Sequence, residues 1–184
     1  MAKRDGCDVN GRYGVLSNRV YDARRYELEK IEPIMIKYVA FSEINPEDFI
    51  PVLNEAAIRD HLVAHDLFDA DSIGAWVEDK IANDAIAKCR IRGIYCDNTL
   101  VGWCGIQKDD AHYEIAIVIA QSVWGIGGRV FDAMMGWARE FGHEQVVIHL
   151  LETRPVYQFL KRRAIKTQAT TMLGRCFVTY YIAV

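Results

Sequence analysis

The chain has 184 residues, of which 51% are hydrophobic and 26% charged, and its formal net charge is −3. Length and composition are typical of one soluble globular domain, with or without an appendage, and exclude wholesale disorder, collagen and a coiled coil. The near-neutral charge argues against nucleic acid as the main partner, because binding to a phosphate backbone usually requires a basic surplus. The sequence has no apolar run of about 18 residues and begins with polar residues, so we expect a cytoplasmic protein with no membrane segment or secretory signal.

The cysteines and histidines do not form the pattern of a metal site. No two cysteines form a C-x-x-C pair, so we expect reduced thiols and no structural zinc. His61 and His65 stand four residues apart on a predicted helix, but the glutamate of an H-E-x-x-H motif and a third ligand are missing. We therefore expect no bound metal.

Residues 1–34 differ from the rest of the chain. They are rich in turn residues and in Arg and Glu, with few apolar side chains to bury, and Pro33 ends any helix there. We predict an N-terminal extension over 1–34 and a domain over 35–184. Two interpretations of the extension remain open: a loosely packed arm, or an arm that exchanges between subunits or covers a substrate.

In chain order, the first half of this domain begins with a β-branched and aromatic strand. Two segments with apolar residues at helical spacing follow. Three strands come next, and the short polar turns between them predict antiparallel pairing. The predicted bounds are 35–41 for the first strand, 45–65 and 71–81 for the helical segments, and 85–95, 100–107 and 112–120 for the three strands.

The second half begins at the strand 112–120, which is apolar almost throughout, as is typical of a strand in the middle of a sheet. A turn with three glycines and an amphipathic helix follow it. The later elements are predicted as a helix at 127–142, a strand at 145–151, a short helix at 155–163, and a hairpin of strands 167–172 and 176–183. Together they predict a mixed α/β fold with six to seven strands and about four helices.

The glycine turn between the central strand and the helix is the most informative segment. Consecutive backbone N–H groups and a helix N-terminus can together bind a phosphate or pyrophosphate, although such a turn can also bind nothing. A P-loop is excluded because no Lys-Ser or Lys-Thr follows the glycines. A dinucleotide-binding G-x-G-x-x-G is also disfavoured, because Val130 occupies the third glycine position.

The turn Ser122-Val123-Trp124-Gly125-Ile126-Gly127 is similar to the motif Q/R-x-x-G-x-G/A of the GNAT superfamily of N-acetyltransferases. With the order of the predicted elements, this resemblance covers about residues 35–184. It implies a GNAT-like, mostly antiparallel sheet, with acetyl-CoA as co-substrate. It also implies transfer of an acetyl group from the thioester to a primary amine by direct attack in a ternary complex.

The resemblance further implies which residues bind the co-substrate. Backbone N–H groups of the turn would hold the pyrophosphate, and the backbone of the preceding strand would pair with the pantetheine arm. Ser122 stands where the family usually has Gln or Arg, and Arg129 either supplies charge there or is a solvated side chain. The residues so implied are Ile117, Val118, Ile119, Ser122, Val123, Trp124, Gly125, Ile126, Gly127, Gly128 and Arg129.

Acetyl transfer to an amine requires a base for the amine proton and a proton donor for the leaving thiolate. Glu114 in the central strand is the first candidate base, unless it pairs with Arg90 or Arg92. Glu152, after the next strand, is the second. We expect His149 to be a structural histidine, because its odd spacing from Glu152 places the two on opposite faces of the sheet.

The proton donor is less clearly marked. The resemblance implies a tyrosine in the short helix after the fifth core strand, but Leu160 occupies that position. Tyr157, almost one helical turn earlier, is the candidate replacement, with a packing role as the alternative.

Two other functions stay open. The leucine at position 160 is consistent with a non-catalytic acyl-CoA-binding or assembly module. Basic residues between Arg154 and Lys166 are consistent with acetylation of a macromolecule, such as a protein N-terminus, tRNA or DNA. The size of the acceptor is not marked in the sequence, and the apolar closing strand 176–184 suggests a homodimer.

Overall fold

The computed structural model describes residues 34–60, 62, 65–109 and 112–184. The chain divides into two units, Met1–Pro33 and Ile34–Val184, and the described residues all belong to the second. The predicted extension over 1–34 therefore lies outside the described residues except for its last residue, and so does His61.

Seven strands of the described chain form one sheet. They are β1 (Ile36–Ala40), β2 (Arg90–Cys96), β3 (Thr99–Lys108), β4 (Tyr113–Ile119), β5 (Gln145–Leu151), β6 (Ala164–Met172) and β7 (Arg175–Ala183). Their order across the sheet is β1-β2-β3-β4-β5-β7-β6. All neighbours are antiparallel except β4 and β5, which are parallel. The predicted mixed, mostly antiparallel sheet is confirmed, with the apolar strand β4 at its centre.

Helices connect these strands. The described residues contain α1 (Ile50–Leu53), α2 (Ala56–Arg59), α3 (Ala70–Asp84), α4 (Gly127–Glu140) and α5 (Gln158–Arg163), with 3-10 turns at Phe41–Glu43, Pro46–Phe49 and Gln121–Ile126. Among them α3 is the longest with 15 residues, and none is long and apolar enough to cross a membrane.

The first predicted helical segment, 45–65, is shorter and more broken than expected. It forms α1 and α2, between which Asn54 exchanges two hydrogen bonds with the backbone of Phe68, at 2.8 and 2.9 Å. The prediction that the helix continues to His65 is wrong. It ends at Arg59, whose guanidinium donates to the carbonyl of His65 at 2.7 Å and so stabilises a loop.

The predicted start of the second strand at residue 85 is also wrong. The chain leaves α3 through tight turns, with Lys88 at φ 66°, and β2 begins only at Arg90. Asp84 fixes this start, because its carboxylate accepts a hydrogen bond from the N–H of Ile91 at 2.6 Å and pairs with Arg92 at 2.8 Å.

The last elements shift by a few residues. The short helix begins at Gln158 rather than 155, because Tyr157 still has an extended backbone. β6 begins at Ala164, where it already pairs with β7. β7 lies between β5 and β6, so the closing strand on which the homodimer was predicted has no free edge for a second copy.

The core lies on both faces of the sheet. Alternate residues of β4 contribute to the two faces: Ile115 and Ile119 pack with α4, while Ala116 and Val118 pack with α3. This double burial explains why β4 is apolar throughout. It also means that Glu114, two residues before Ala116, lies on the α3 face.

Candidate active site

The site lies where the two parallel strands separate. β4 and β5 are in register at a single pair, Glu114 with Val147. Beyond it, residues 115–119 of β4 and 148–151 of β5 line a cavity of about 1060 Å³. This edge of β4 therefore presents backbone polar groups to the cavity, and an extended ligand can pair with it as an added strand would.

The glycine turn lies at one side of this cavity. The helix α4 begins at Gly127 with no side chain capping its N-terminus, and Gly127 and Gly128 line the cavity. An added Cβ at Gly125, Gly127 or Gly128 would have no atom within 4 Å, so the turn is open on the side where a side chain would project. The N–H of Gly127 donates to the carbonyl of Trp124. The remaining N–H groups of a helix N-terminus without a side-chain cap are suited to bind an anion such as a pyrophosphate.

The residues predicted to bind the co-substrate divide into two sets. Those that line the cavity are Ile117, Val118, Ile119, Trp124, Gly127 and Gly128, and those that do not are Ser122, Val123, Gly125, Ile126 and Arg129. The indole N–H of Trp124 donates to the carbonyl of Ile119 at 3.0 Å, so this carbonyl is already hydrogen-bonded. Arg129 donates to the carbonyl of Ile34 at 2.9 Å.

Glu114 is a half-buried carboxyl group on the cavity wall. Burial raises the pKa of Glu114, and the hydrogen bond from Gln107 opposes this rise, as do the charges of His149 and Lys80. The amide Nε2 of Gln107 donates to Glu114 Oε2 at 3.1 Å. Burial thus favours the neutral form of Glu114, and its hydrogen-bond partner Gln107 is an amide rather than a cation.

The arginines considered as partners of Glu114 bind elsewhere. Arg90 pairs with Glu140 at 2.8 Å, and Arg92 pairs with Asp84 at the same distance. The alternative that either arginine pairs with Glu114 is therefore wrong.

His149 also faces the cavity, which the sequence did not predict. Its Nδ1 lies 2.8 Å from the hydroxyl of Thr179, which lies 2.9 Å from that of Thr170. Its Nε2 is buried without a hydrogen-bond partner among the described residues, and the nearest acidic oxygen, of Asp109, is 3.6 Å away. An unpaired ring nitrogen in a cavity can accept or donate a proton of a ligand.

A second set of polar groups lies between α3 and the sheet. Lys80 donates to Gln107 Oε1 at 3.2 Å, so a single amide connects this lysine with Glu114. The indole rings of Trp76 and Trp103 line the cavity beside it. Among the described residues, no group of three His, Cys, Asp or Glu side chains could hold a metal ion.

No family model and no curated protein sequence matches the chain. Solved structures do match. An acetyl transferase from Salmonella typhimurium, which modifies the N-terminal serine of 50S ribosomal subunit protein L7/L12, has a TM-score of 0.63 at 15% identity, covering 83% of this chain and 96% of its own. An acetyltransferase of the GNAT family from Streptococcus pneumoniae has a TM-score of 0.58 at 12% identity, over 83% and 98%.

A third match is the Microcin C7 self immunity acetyltransferase MccE, solved in complex with acetyl-CoA and AMP. Its TM-score is 0.60 at 14% identity, and the match covers 83% of this chain and 93% of MccE. The chain has the GNAT fold. The resemblance that the glycine turn and the element order indicated is thereby confirmed at the level of fold.

Of the remaining residues considered from the sequence, Tyr157 and Leu160 line the cavity and Glu152 does not. Tyr157 lines the cavity just before α5, with the guanidinium of Arg154 5.5 Å from its ring centroid. Leu160 is buried and lines the same cavity as an apolar side chain. Glu152, the second candidate base, is exposed and is not part of the cavity wall.

Sequence reasoning missed several polar groups of this GNAT-fold cavity: Lys80, Gln107, Asp109 and Arg154, together with His149. For His149 the missing information was strand register. The parallel pair Glu114–Val147 places His149, two residues after Val147, on the same face as Glu114. The odd spacing between His149 and Glu152 was not informative, because Glu152 lies after the end of β5 and the alternation of faces no longer applies to it.

Proposed function

We propose that this protein is an acetyl-CoA-dependent N-acetyltransferase that moves an acetyl group to a primary amine by direct attack in a ternary complex. The observation that carries the proposal is the cavity between β4 and β5, which is lined both by the first residues of α4 and by the half-buried Glu114. The fold is shared with acetyltransferases, and one of these is described in complex with acetyl-CoA. When bound, acetyl-CoA would supply an activated acyl group as a thioester.

The turn and β4 would bind the co-substrate. Backbone N–H groups of residues 123–128 would hold the pyrophosphate, other than those of Val123 and Gly127, which donate to the carbonyls of Ala120 and Trp124. The β4 backbone at Ile117, Val118 and Ile119 would hold the extended arm. Ile126 is buried and would contribute only its backbone. Because a serine replaces the long polar residue at the first motif position, most of the binding energy would come from backbone groups.

Glu114 would take the proton from the amine. A half-buried carboxyl with a raised pKa is a stronger base than a fully exposed one, and Glu114 lines the cavity where a ligand would lie. Asp109, on the same wall, would help to hold the protonated amine before transfer.

Two side chains are available to return a proton to the leaving thiolate. Tyr157 is the candidate proposed from the sequence, and it lines the cavity. His149 is the second, because its Nε2 is unpaired and its Nδ1 contacts a chain of two threonine hydroxyls that can reorient. Either residue would compensate for Leu160.

A second candidate function is a non-catalytic acyl-CoA-binding module, which the buried Leu160 favours. A third is acetylation of a macromolecule, since one protein of the same fold modifies a ribosomal protein N-terminus. The basic residues that suggested it are partly engaged, because Arg163 pairs with Asp132 at 2.9 Å and Lys166 lies over the ring of Tyr181. In each case we propose residues 35–184 as the functional domain, 1–34 as an extension, and the cytoplasm as the location.

Thermal unfolding with millimolar acetyl-CoA tests the co-substrate. A ligand at about a hundred times its Kd stabilises the native state by about 2.7 kcal/mol, so Tm should rise by several degrees. The double substitution Gly125→Glu with Gly127→Glu should abolish this rise by placing carboxylates at the anion site. Gly136→Glu, on the exposed side of the same helix, is the matched control and should keep the rise.

Absence of a Tm rise for the natural sequence would remove the acetyl-CoA assignment. Mass spectrometry of a broad amine panel then separates catalysis from binding. Enzyme-dependent acetylation of any amine eliminates the pure binding module, and binding without any acetylation supports it.

A further inference from the structure

Lys80 is an almost buried cation on the cavity wall. Its side chain is 13% exposed, and its Nζ lies 5.9 Å from the ring centroid of Trp76 and 5.1 Å from that of Trp103. Among the described residues, Gln107 is its one hydrogen-bond partner, and the exposed Asp79 forms a longer ion pair with it at 3.7 Å, beyond hydrogen-bond distance. Because an ammonium group has three donors, Lys80 keeps donors for a further acceptor.

The further acceptor would come from the cavity. A largely desolvated cation with unused donors is stabilised by a further anion, and the open side of Lys80 is the cavity that it lines. Glu114 contacts the other end of the Gln107 amide, and Asp109 lies 3.6 Å from His149. This stretch of the cavity wall therefore carries a cation and carboxyl groups, and Arg154 also lines the cavity.

The amide of Gln107 sets an upper limit to the distance between Lys80 and Glu114. Its Oε1 accepts from Lys80 and its Nε2 donates to Glu114, so Lys80 Nζ and Glu114 Oε2 are at most about 9 Å apart by standard amide dimensions. In an α-amino acid the amine nitrogen and a carboxylate oxygen are about 3 Å apart, and with one hydrogen bond of about 2.8 Å at each end the total stays within this limit.

We propose that the acceptor is a small zwitterion: a primary amine that carries a carboxylate on the same carbon or on the next one. The amine is held at Glu114 and Asp109, and the carboxylate is held by Lys80. The inference rests on the proposed function, since it names the substrate class of the same site.

Binding to the protein saturated with CoA, which cannot transfer an acetyl group, tests the proposal by isothermal titration calorimetry. The probes are matched triads of an amino acid, its amide and its decarboxylated amine, built on alanine, leucine, phenylalanine and lysine. In at least one triad the acid should bind about tenfold or more tightly than the amide, as expected for one charge-assisted hydrogen bond. The same triads, titrated without CoA, keep this test independent of co-substrate binding.

Variants then assign the preference to the lysine. Lys80→Met should remove the advantage of the acid and leave the affinity for the amide within about twofold. Lys80→Arg should restore part of it, and Lys108→Met, an exposed lysine next to Gln107 in sequence, should change neither affinity.

Three results would overturn the proposal. The first is equal affinity of acid, amide and amine in every triad, with and without CoA. The second is an equal loss for all three probes in Lys80→Met, which would limit Lys80 to holding Gln107. The third is a preference for peptide amines whose carboxylate is many bonds away. If CoA does not bind while the acids do, the proposed function fails and the zwitterion site stands.

Discussion

Gln107 and Glu114 are direct partners across the β3–β4 ladder, and the amide of one donates to the carboxylate of the other at 3.1 Å. Lys80 donates a hydrogen bond to the side-chain oxygen of Gln107 and so orients the amide. Gln107 therefore influences the protonation of Glu114. Its amide cannot rotate by 180° without losing the hydrogen bonds to both Lys80 and Glu114.

Gln107→Leu should shift the pH dependence of activity. The hydrogen bond from Gln107 lowers the pKa of Glu114, so its loss should raise that pKa further. A base must be deprotonated to act, so the acidic limb of kcat/KM should move to higher pH. Gln168→Leu, an exposed glutamine in β6, is the control. An unmoved limb, or one that moves to lower pH, would contradict the role of Glu114 as base.

Glu114→Gln should separate activity from stability. We expect kcat to fall by about a hundredfold or more, with the affinity for CoA changed by no more than about twofold. Because burial raises the pKa of Glu114 above its unfolded value, this group favours the folded state at low pH, and that contribution is lost as pH rises through the folded pKa.

The glutamine of Glu114→Gln does not ionise, so the variant does not lose stability as the pH rises. Its Tm near neutral pH should therefore exceed that of the natural sequence. Calorimetry over a pH series checks the sign. A lower Tm at neutral pH would mean that the carboxylate is stabilised by its neighbours.

His149→Gln should lower kcat without a large change in KM. Glutamine can still bond to Thr179 but cannot carry a proton between groups, and loss of one acid–base group costs about a hundredfold. His143→Gln is the matched control, since His143 is bonded to the carbonyl of Lys88 and is not part of the cavity wall. Equal kcat for the two variants would leave Tyr157 as the proton donor.

Asp84→Ala should destabilise the fold more than Glu140→Ala. Asp84 satisfies the buried N–H of Ile91 and pairs with Arg92, so its removal should cost about 2 kcal/mol, or roughly 4–8 °C in Tm. Glu140 pairs with Arg90 at the exposed surface, where such pairs contribute little. Thermal unfolding of both variants provides the comparison, and a similar loss in both would show that the contact with Ile91 adds nothing.

The sequence predicted those features that depend on local pattern. The uniform apolar character of 112–120 indicated a central strand, and the glycines after it indicated the turn from which α4 begins. That this turn binds an anion stays a prediction. The failures depend on contacts between distant residues. Nothing near Asp84 in sequence reveals that its carboxylate starts β2 at Arg90, and nothing near Arg59 reveals that it ends a helix by binding a loop.

The polar groups of the cavity were hidden for the same reason. The sequence around Lys80 does not distinguish it from other helix lysines, because its contact with Gln107 is made only in the folded sheet. The face on which His149 lies depends on the register of β4 and β5, which the pair Glu114–Val147 sets. Glu114, which lines the cavity, was named as a candidate from the sequence because it belongs to the strand that leads into the turn.

The single registered pair between β4 and β5 also has a mechanical consequence. Strands β1 to β4 and β5 to β7 are in register with each other at Glu114–Val147, while one apolar core that includes α4 spans both halves of the sheet. A ligand in the cavity would contact β4 and β5 together, so it should slow the local opening of the sheet between them. Hydrogen exchange of the β5 amides, slowed by ligand much more than that of the β2 amides, would be the sign of this coupling.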